Sequence, residues 1–239
     1  NYQLSDFDWT DPNTGTPVDP SVITSENMSQ FKYTLKEDVV SFEGKTIAPG
    51  DRKYRDLTGE GVVNSNDRTA IGDTNPLFNF GINNEFRIGN LDVGVFIDGS
   101  YGGKILNAFR RQLEPSLDNN INNLSTEAWA GRWTPENGSN VYARLLNQTD
   151  QQVSTYYVED GSYLRIKNLN IGYTFGQKYF GRSGISKLRV YLLIDNVYTF
   201  TKYSGLDPEV RSYEKFLRAL DQTSYPRTRN YMAGVNITF

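Results

Sequence analysis

A twelve-position acidic loop is the strongest chemical signal in this sequence. It begins at Asp56 and ends at Asp67, and Gly61 stands where a calcium-binding loop of the EF-hand type makes its sharp turn. The residues whose oxygens fall at the ligand positions are Asp56, Thr58, Glu60, Val62 (through its carbonyl), Asn64 and Asp67. The spacing therefore makes this loop a candidate Ca²⁺ site, and we expect no other cofactor.

Three positions of this loop depart from the calcium pattern. Thr58 and the long Glu60 stand where shorter acidic or amide side chains are usual, and Asp67 replaces the bidentate Glu that closes such loops. The alternative is an acidic turn without an ion, held by hydrogen bonds between the side chains and nearby backbone amides. A bound ion would stiffen the loop and would not catalyse a reaction.

Composition excludes most catalytic chemistry. The 239 residues include no His and no Cys, which removes the commonest general base, the commonest metal ligands and thiol nucleophiles. A net charge of −3 and a pI near 5.2 lack the basic footprint that binding to nucleic acid requires. We therefore expect neither an enzyme nor a nucleic-acid-binding protein.

From Leu77 onward the sequence alternates apolar and polar residues with the two-residue period of a β-strand. Segments 77–88 and 91–101 are joined by Gly89-Asn90, which is typical of a two-residue hairpin turn. Before these strands, only 29–36 could form one. The remaining predicted elements are strands at 162–175 (with a bulge near Lys167-Asn168), 187–200 and 228–239, and a short helix at 105–113.

The lengths of the connections favour a membrane barrel. Short connections (89–90 and 176–186) alternate with long ones (102–161 and 201–227). Outer-membrane barrels combine short periplasmic turns with long outer loops, and their strands need about 9–11 residues to cross a bilayer. The chain is therefore predicted to be all-β and to supply strands of a transmembrane antiparallel barrel. A secreted β-sandwich binding module with a calcium-stabilised loop is the alternative.

Aromatic residues of the long connection 102–161 are candidates for contact with a substrate. Trp129 and Tyr142 carry flat apolar faces that could stack on a sugar ring or pack against a partner. Trp133 is expected to pack within the loop instead. Trp129 and Tyr142 are thus the predicted substrate-binding residues.

Ordered motifs run through roughly residues 45–239. They are Pro49-Gly50-Asp51 with the acidic loop, Asn75-Pro76, Gly99-Ser100-Tyr101-Gly102, Arg132-Trp133-Thr134-Pro135-Glu136-Asn137, Asp160-Gly161-Ser162-Tyr163-Leu164-Arg165-Ile166-Lys167-Asn168-Leu169, and Tyr203-Ser204-Gly205-Leu206-Asp207-Pro208-Glu209. In this order they resemble the C-terminal part of the SusC/RagA family of TonB-dependent outer-membrane transporters.

The resemblance implies a barrel of about 22 strands around a plug. The chain would supply its C-terminal strands as a fragment and not as an independent fold, because five strands cannot close a barrel. Residues 1–75 would form an extracellular loop region that includes the acidic turn. Residues 76–239 would form barrel strands with outer loops at 102–161 and 201–227. The expected location is the bacterial outer membrane.

The resemblance also implies partners and cargo. The partners are a SusD-like surface lipoprotein, TonB through the absent N-terminal part, the remainder of the barrel and membrane lipid. The cargo would be an oligomeric glycan or peptide. A passive porin segment is a third hypothesis, which a plug domain encoded upstream would exclude. Polar strand positions that could line the passage are Asn79, Asn83, Glu85, Arg87, Asp92, Asp98, Arg189 and Asp195, and those expected to face lipid in the first strand are Phe78, Phe80, Ile82, Phe86 and Ile88.

Overall fold

A computed structural model describes residues 1–114, 124–145, 152–181, 183–209, 219–222 and 225–239. These residues are mostly arranged in strands with a few short helices. In chain order the strands are β1 Phe7–Thr10, β2 Pro17–Val18, β3 Lys32–Leu35, β4 Ser41–Phe42, β5 Val62–Val63, β6 Pro76–Ile88, β7 Leu91–Gly102, β8 Lys104–Asn107, β9 Val158–Asp160, β10 Tyr163–Gly176, β11 Lys187–Thr201, β12 Leu220–Asp221 and β13 Asn230–Thr238. The α-helices are α1 Ala108–Leu113 and α2 Thr126–Gly131, and 3₁₀ turns lie at Leu4–Asp6, Pro20–Val22, Met28–Gln30, Ser65–Asp67, Thr155–Tyr157 and Gln177–Tyr179.

The chain folds into two compact units. The first unit combines Asn1–Ile71 with Phe109–Tyr157, and the second combines Gly72–Ala108 with Val158–Phe239. The division predicted from the sequence is different, with an extracellular region 1–75 and a barrel region 76–239. The position of these two regions relative to a membrane stays a prediction.

The second unit is built on a five-stranded antiparallel sheet in the order β13-β11-β10-β7-β6. Each strand pairs with the long strand that precedes it along the chain, so the sheet is an up-and-down meander. Gly89 has φ +60, which the two-residue turn before Leu91 requires and which glycine adopts without steric cost. All five strands predicted from the alternation are confirmed.

A bulge interrupts the sheet near the middle of β10, as the sequence predicts. The register shifts between Ile166 and Asn168, so Lys167 is an extra residue relative to β7. The neighbouring strand β11 is also irregular at this point. Its Asn196 has φ 53, in the left-handed region that asparagine tolerates better than most residues. Its amide Nδ2 donates to the Thr228 carbonyl at 2.7 Å. β13 pairs with β11 only as far as Asp195, which lies next to the bulge.

The helix predicted at 105–113 is wrong at its start. Lys104–Asn107 form β8, which pairs antiparallel with β9 and parallel with β12, and the helix begins only at Ala108. Ile105 is buried in this pairing. Strand partners distant in sequence therefore outweigh the local helical tendency of this segment.

A small aromatic core holds the first unit together. Tyr2, Phe7, Trp9, Ile23 and Ile47 are buried against one another. β1 pairs with β2 and β3, of which the sequence predicted only β3, within 29–36. Strands of two to four residues show too little alternation to be recognised locally.

No helix in the described parts of the chain is long and apolar enough to span a membrane.

Candidate functional site

One face of the five-stranded sheet is apolar apart from Asn84 of β6. Because paired residues of neighbouring strands point to the same side, the register aligns apolar side chains in rows across the sheet. Phe86 and Val235, on the two edge strands, are 56% and 57% exposed, so this face is open to its surroundings. Among the described residues no second sheet covers it. Two of its rows are Phe86, Val93, Ile171, Leu192 and Ala233, and Ile88, Leu91, Tyr173, Val190 and Val235.

Aromatic side chains form a band at each end of this apolar face. At one end Phe78 stacks on Tyr101 with ring centroids 5.4 Å apart, and Tyr198 contacts Phe200 at 4.7 Å. At the other end Phe175 contacts Tyr173 at 4.7 Å. About ten residues of β11, or roughly 34 Å of strand, separate the bands. The tilt of barrel strands reduces this length to about the 25 Å height of an outer-membrane apolar band with its aromatic girdles.

The opposite face of the sheet carries paired charges and amides. Arg189 on β11 and Asp92 on β7 form an ion pair, with Nη2 and Oδ2 2.5 Å apart. Near the bulge, Lys167 Nζ lies 2.8 Å from Asp98 Oδ2. The structure thus places the predicted passage-lining residues Asp92, Asp98 and Arg189 on one polar face and pairs them with each other or with a neighbour.

Glycines on the polar face make room for large side chains from neighbouring strands. At Gly172 on β10 an added Cβ would lie 2.6 Å from Asp92 Oδ2, so the Asp92–Arg189 pair passes directly over this glycine. Gly234 on β13 is covered in the same way by the Tyr191 ring. A large side chain lying over a glycine of the next strand is a recognised means of fixing register in curved sheets.

The acidic loop is closed by its own carboxylates. Asp56 accepts hydrogen bonds from the backbone amides of Gly59 at 2.6 Å and of Gly61 at 2.7 Å. Asp67 accepts from the amides of Leu57 at 2.7 Å and of Asn64 at 2.8 Å. This is the hydrogen-bonded acidic turn expected from the sequence as the alternative to an ion site.

Four of the six predicted ligand residues converge in this loop. The Thr58 hydroxyl lies 3.1 Å from Asp56 Oδ1, 3.0 Å from Glu60 Oε1 and 3.3 Å from Asp67 Oδ1. Asn64 Oδ1 instead accepts from the Asn66 amide, and Val62 begins β5. In the described residues no group of three or more Asp, Glu, His or Cys side chains is arranged to hold a metal ion. Calcium binding stays a prediction.

Hydrogen bonds lower the pKa of both terminal carboxylates of the loop. The amides of Gly61 and then Gly59 hold the pKa of Asp56 below its ordinary value. The amides of Asn64 and then Leu57 lower the pKa of Asp67. The two half-buried carboxylates therefore stay charged to a lower pH than ordinary aspartates do.

Trp129 is held firmly although it is 51% exposed. It lies on α2, whose first turn is capped by the Ser125 hydroxyl accepting from the Ala128 amide at 3.1 Å. The guanidinium of Arg132 lies 4.1 Å from the centre of the indole ring, and its Nη1 donates to the Trp129 carbonyl. A preorganised exposed aromatic ring is suited to stacking, because little side-chain entropy is lost on contact.

Tyr142 packs within the first unit. At Gly131 an added Cβ would lie 2.7 Å from Tyr142 Cδ2, and the Tyr142 carbonyl accepts from the Asn1 side-chain amide at 2.6 Å. The structure thus brings the predicted contact residues Trp129 and Tyr142 to the same helix end, but gives them different surroundings. Their contact with a substrate stays a prediction.

Two motifs that are distant in sequence meet in the first unit. Trp133 is 4% exposed and packs on Gly50, which has φ +86. Arg144 Nε pairs with the fully buried Asp51 at 2.6 Å, and Ala48 N donates to the same carboxylate at 2.9 Å. Trp133 is therefore a packing residue, as the sequence predicts, whereas the Asp51–Arg144 pair escaped sequence analysis because no local spacing relates the two residues.

Comparison with known sequences shows the family to which this chain belongs. The TonB-dependent receptor P3 of Formosa agariphila is 35% identical over 199 residues, which are 80% of this chain. The chain belongs to the SusC-like family of TonB-dependent receptors. SusC itself, from Bacteroides thetaiotaomicron, is 24% identical over 212 residues, or 87% of the chain. No family model matches the sequence.

Solved structures agree with this assignment. The structure of the RagAB peptide importer in its open-open state matches 70% of the chain with a TM-score of 0.56 and 25% identity. The closed-closed state of the same importer matches with a TM-score of 0.55. The expected fold class, strands of the C-terminal part of a receptor barrel, is thereby confirmed.

This receptor segment spans only about a fifth of its relatives. It covers 19% of receptor P3, 19% of SusC and 17% of the matched RagAB chain. The names of these relatives describe receptors and importers, which confirms the expectation that the segment is not part of an enzyme.

Proposed function

We propose that this chain forms part of the barrel wall of a TonB-dependent outer-membrane importer. Its apolar face contacts lipid, and its polar face lines the passage. The observation that carries the proposal is the exposed apolar face of the five-stranded sheet, bounded by aromatic bands. Exposed apolar rows of this extent, in a sheet that is polar on its other side, support contact with a membrane.

The proposal is tested by measuring whether lipid contact alternates between successive residues of β13. In the full receptor, single cysteines at Val235 and Asn236 place an environment-sensitive fluorophore on the two faces of β13. We expect nitroxide-bearing lipids to quench the fluorophore at Val235 strongly and that at Asn236 weakly. Equal quenching at both positions, or none at either, would refute the wall assignment. A soluble, folded and monomeric form of this polypeptide alone would refute it as well.

The polar face could guide a flexible, hydrogen-bonding cargo. The Asp92–Arg189 and Asp98–Lys167 pairs present both charge signs, and the amide of Asn168 donates to Asp195 at 2.8 Å. Such a surface suits oligomeric nutrients, a glycan or a peptide, more than an apolar ligand. The solved relative is named a peptide importer, which supports the peptide alternative. Growth of a strain that depends on this receptor, on defined peptides compared with defined glycans, distinguishes the two.

A SusD-like surface lipoprotein is one proposed partner, and TonB, through the remainder of the receptor, is the other. Both follow from the relationship to SusC and RagAB. Purification of the full receptor in mild detergent should recover the lipoprotein in equal amount. Recovery of the receptor alone, under conditions that preserve its barrel, would contradict the partnership.

A further inference from the structure

Arg165 is a buried arginine on the polar face of the sheet. It stands on β10 opposite Asp98 on one side and Thr199 on the other, and it is only 2% exposed. Its Nε donates to the Thr199 hydroxyl at 2.9 Å, and its guanidinium lies 5.4 Å from the Tyr163 ring centre. A charge buried to this degree requires paired acceptors, because an isolated buried ion loses its hydration without compensation.

The acceptors come from the segment that follows β11. Arg165 Nη2 donates to Asp207 Oδ1 at 2.6 Å, and Nη1 donates to Glu209 Oε2 at 3.2 Å. The other oxygen of Glu209 accepts from Arg227 Nη2, at the far end of the same connection. We call Tyr203–Glu209 the rim segment. These bonds hold its second half against the polar face of the sheet.

The first half of the rim segment is anchored separately. The Tyr203 hydroxyl donates to the buried Asp221 at 2.6 Å, and burial followed by this bond raises the pKa of Tyr203. Ser204 donates to Glu159 from its amide and from its hydroxyl, both at 2.8 Å. At Gly205 an added Cβ would lie 2.5 Å from Tyr203 Cζ, so only glycine permits the tight return of the chain.

Between these two anchors the side chain of Leu206 remains 62% exposed. Its neighbours Asp207 and Pro208 are buried. The segment lies against the polar side of the sheet, so Leu206 is presented on that side and not toward the apolar face. The anchors on either side fix the backbone at Leu206, so its exposed side chain is held in one place.

We propose that the rim segment folds inward over the barrel wall and narrows the passage, with Leu206 as an apolar contact for cargo in transit. Arg165 is the positioning residue that holds the segment in place. This inference rests on the proposed function, in which the polar face lines the passage.

Size-graded labelling of a cysteine at Leu206 tests the inference. The chain contains no native Cys, so Leu206→Cys can be labelled selectively in the full receptor once cysteines elsewhere are replaced. Intact cells are treated with membrane-impermeant maleimides, one small and one attached to a large polymer. Leu57→Cys, in the exposed acidic loop, is the matched reference. We expect the small reagent to label both sites, and the polymer to label Leu206→Cys about tenfold more slowly than Leu57→Cys, as access is limited by the surrounding structure.

Two results would overturn the inference. One is polymer labelling at Leu206→Cys that is as fast as at Leu57→Cys, since the residue would then stand in open solution. The other is the absence of labelling by the small reagent, since Leu206 would then be buried within the receptor.

The positioning role of Arg165 has its own test. Arg165→Gln should release the rim segment and remove the tenfold difference, and the milder Glu209→Gln should reduce it. Arg189→Gln breaks an ion pair on the same face that does not touch the rim segment, and it should leave the difference unchanged. Heat-modifiable gel migration verifies that each variant forms its barrel. A folded Arg165→Gln receptor with the original size limit would refute the positioning role.

A further cysteine separates failure of this inference from failure of the proposed function. Ile237 lies on the apolar face of β13, where contact with lipid should protect Ile237→Cys from both reagents. Labelling at Ile237→Cys would refute the wall assignment itself. Protection at Ile237→Cys together with free polymer labelling at Leu206→Cys would refute only the rim segment.

Discussion

The carboxylate of Asp92 and the guanidinium of Arg189 are joined across an intervening strand. Asp92 lies on β7 and Arg189 on β11, and the pair passes over Gly172 of β10 between them. Side-chain contacts in sheets usually join adjacent strands. A contact that reaches the second neighbour is possible here because the middle strand presents no side chain at the crossing point.

Gly172→Ala should therefore destabilise the barrel. The new Cβ would lie 2.6 Å from Asp92 Oδ2 and would displace the partly exposed ion pair, at a cost of up to about 1 kcal/mol, since the ends of both side chains can shift. The measurement is the temperature at which the full receptor loses heat-modifiable gel migration. Gly176→Ala is the matched control on the same strand, since an added Cβ there has nothing within 4 Å. Equal shifts for the two variants would contradict this explanation of Gly172.

The calcium hypothesis for residues 56–67 predicts a ligand-dependent stability. Calcium at about 100-fold its dissociation constant should stabilise the folded receptor by about 2.7 kcal/mol relative to a chelator. Asp56→Asn should abolish this gain, whereas Asp38→Asn, an exposed acid outside the loop, should not. Unchanged unfolding with calcium and with chelator would leave the hydrogen-bonded acidic turn as the whole explanation of this motif.

The contact between Glu136 and Ser25 should depend on pH. Glu136 accepts from the Ser25 amide at 2.6 Å and from its hydroxyl at 2.7 Å, and these bonds lower the pKa of Glu136 from 4.5 to about 2. Because the pKa is lower in the folded state, the stabilisation is fully present above pH 4.5 and is lost as the pH falls toward 2. Glu136→Gln should thus lower the unfolding temperature at pH 6 but make little difference near pH 2. A difference that is independent of pH would show that the carboxylate charge is not involved.

Trp129 and Trp133 should respond differently to replacement by alanine. Trp133 is buried, donates from Nε1 to Gln3 Oε1 at 3.1 Å and packs on Gly50, so Trp133→Ala should cost about 3–5 kcal/mol. Trp129 is half exposed, so Trp129→Ala should change stability by no more than about 1 kcal/mol. If Trp129 contacts cargo, this variant should slow growth on the nutrient that the receptor imports. Normal growth with a folded Trp129→Ala receptor would remove it from the candidate contact residues.

The alternation of the long strands could be predicted because it is a local property. In 77–88 and 187–200 a residue's face follows from its parity alone, since successive side chains of a strand point to opposite sides. The hairpin turn at Gly89 and the bulge near Lys167 were predicted on the same ground, because each is a local break in the period. Strands β1 and β2 were missed because two to four residues show too little alternation, and the strand at Lys104–Asn107 was missed because its partners lie far along the chain.

The sequence by itself determined which side chains lie on each face of the long strands, and its ordered motifs indicated the family. Tertiary structure alone decided which motifs meet. Arg165 binds Asp207, 42 positions further along the chain. Trp133 packs on Gly50, although β6 and β7 lie between them in the sequence. Asp92 pairs with Arg189 over a glycine of the intervening strand. The face on which a side chain lies is fixed by the backbone geometry of the strand, which repeats every two residues. Contacts between distant motifs depend on the register, turns and bulges of the whole sheet, and they can therefore be seen only in the folded chain.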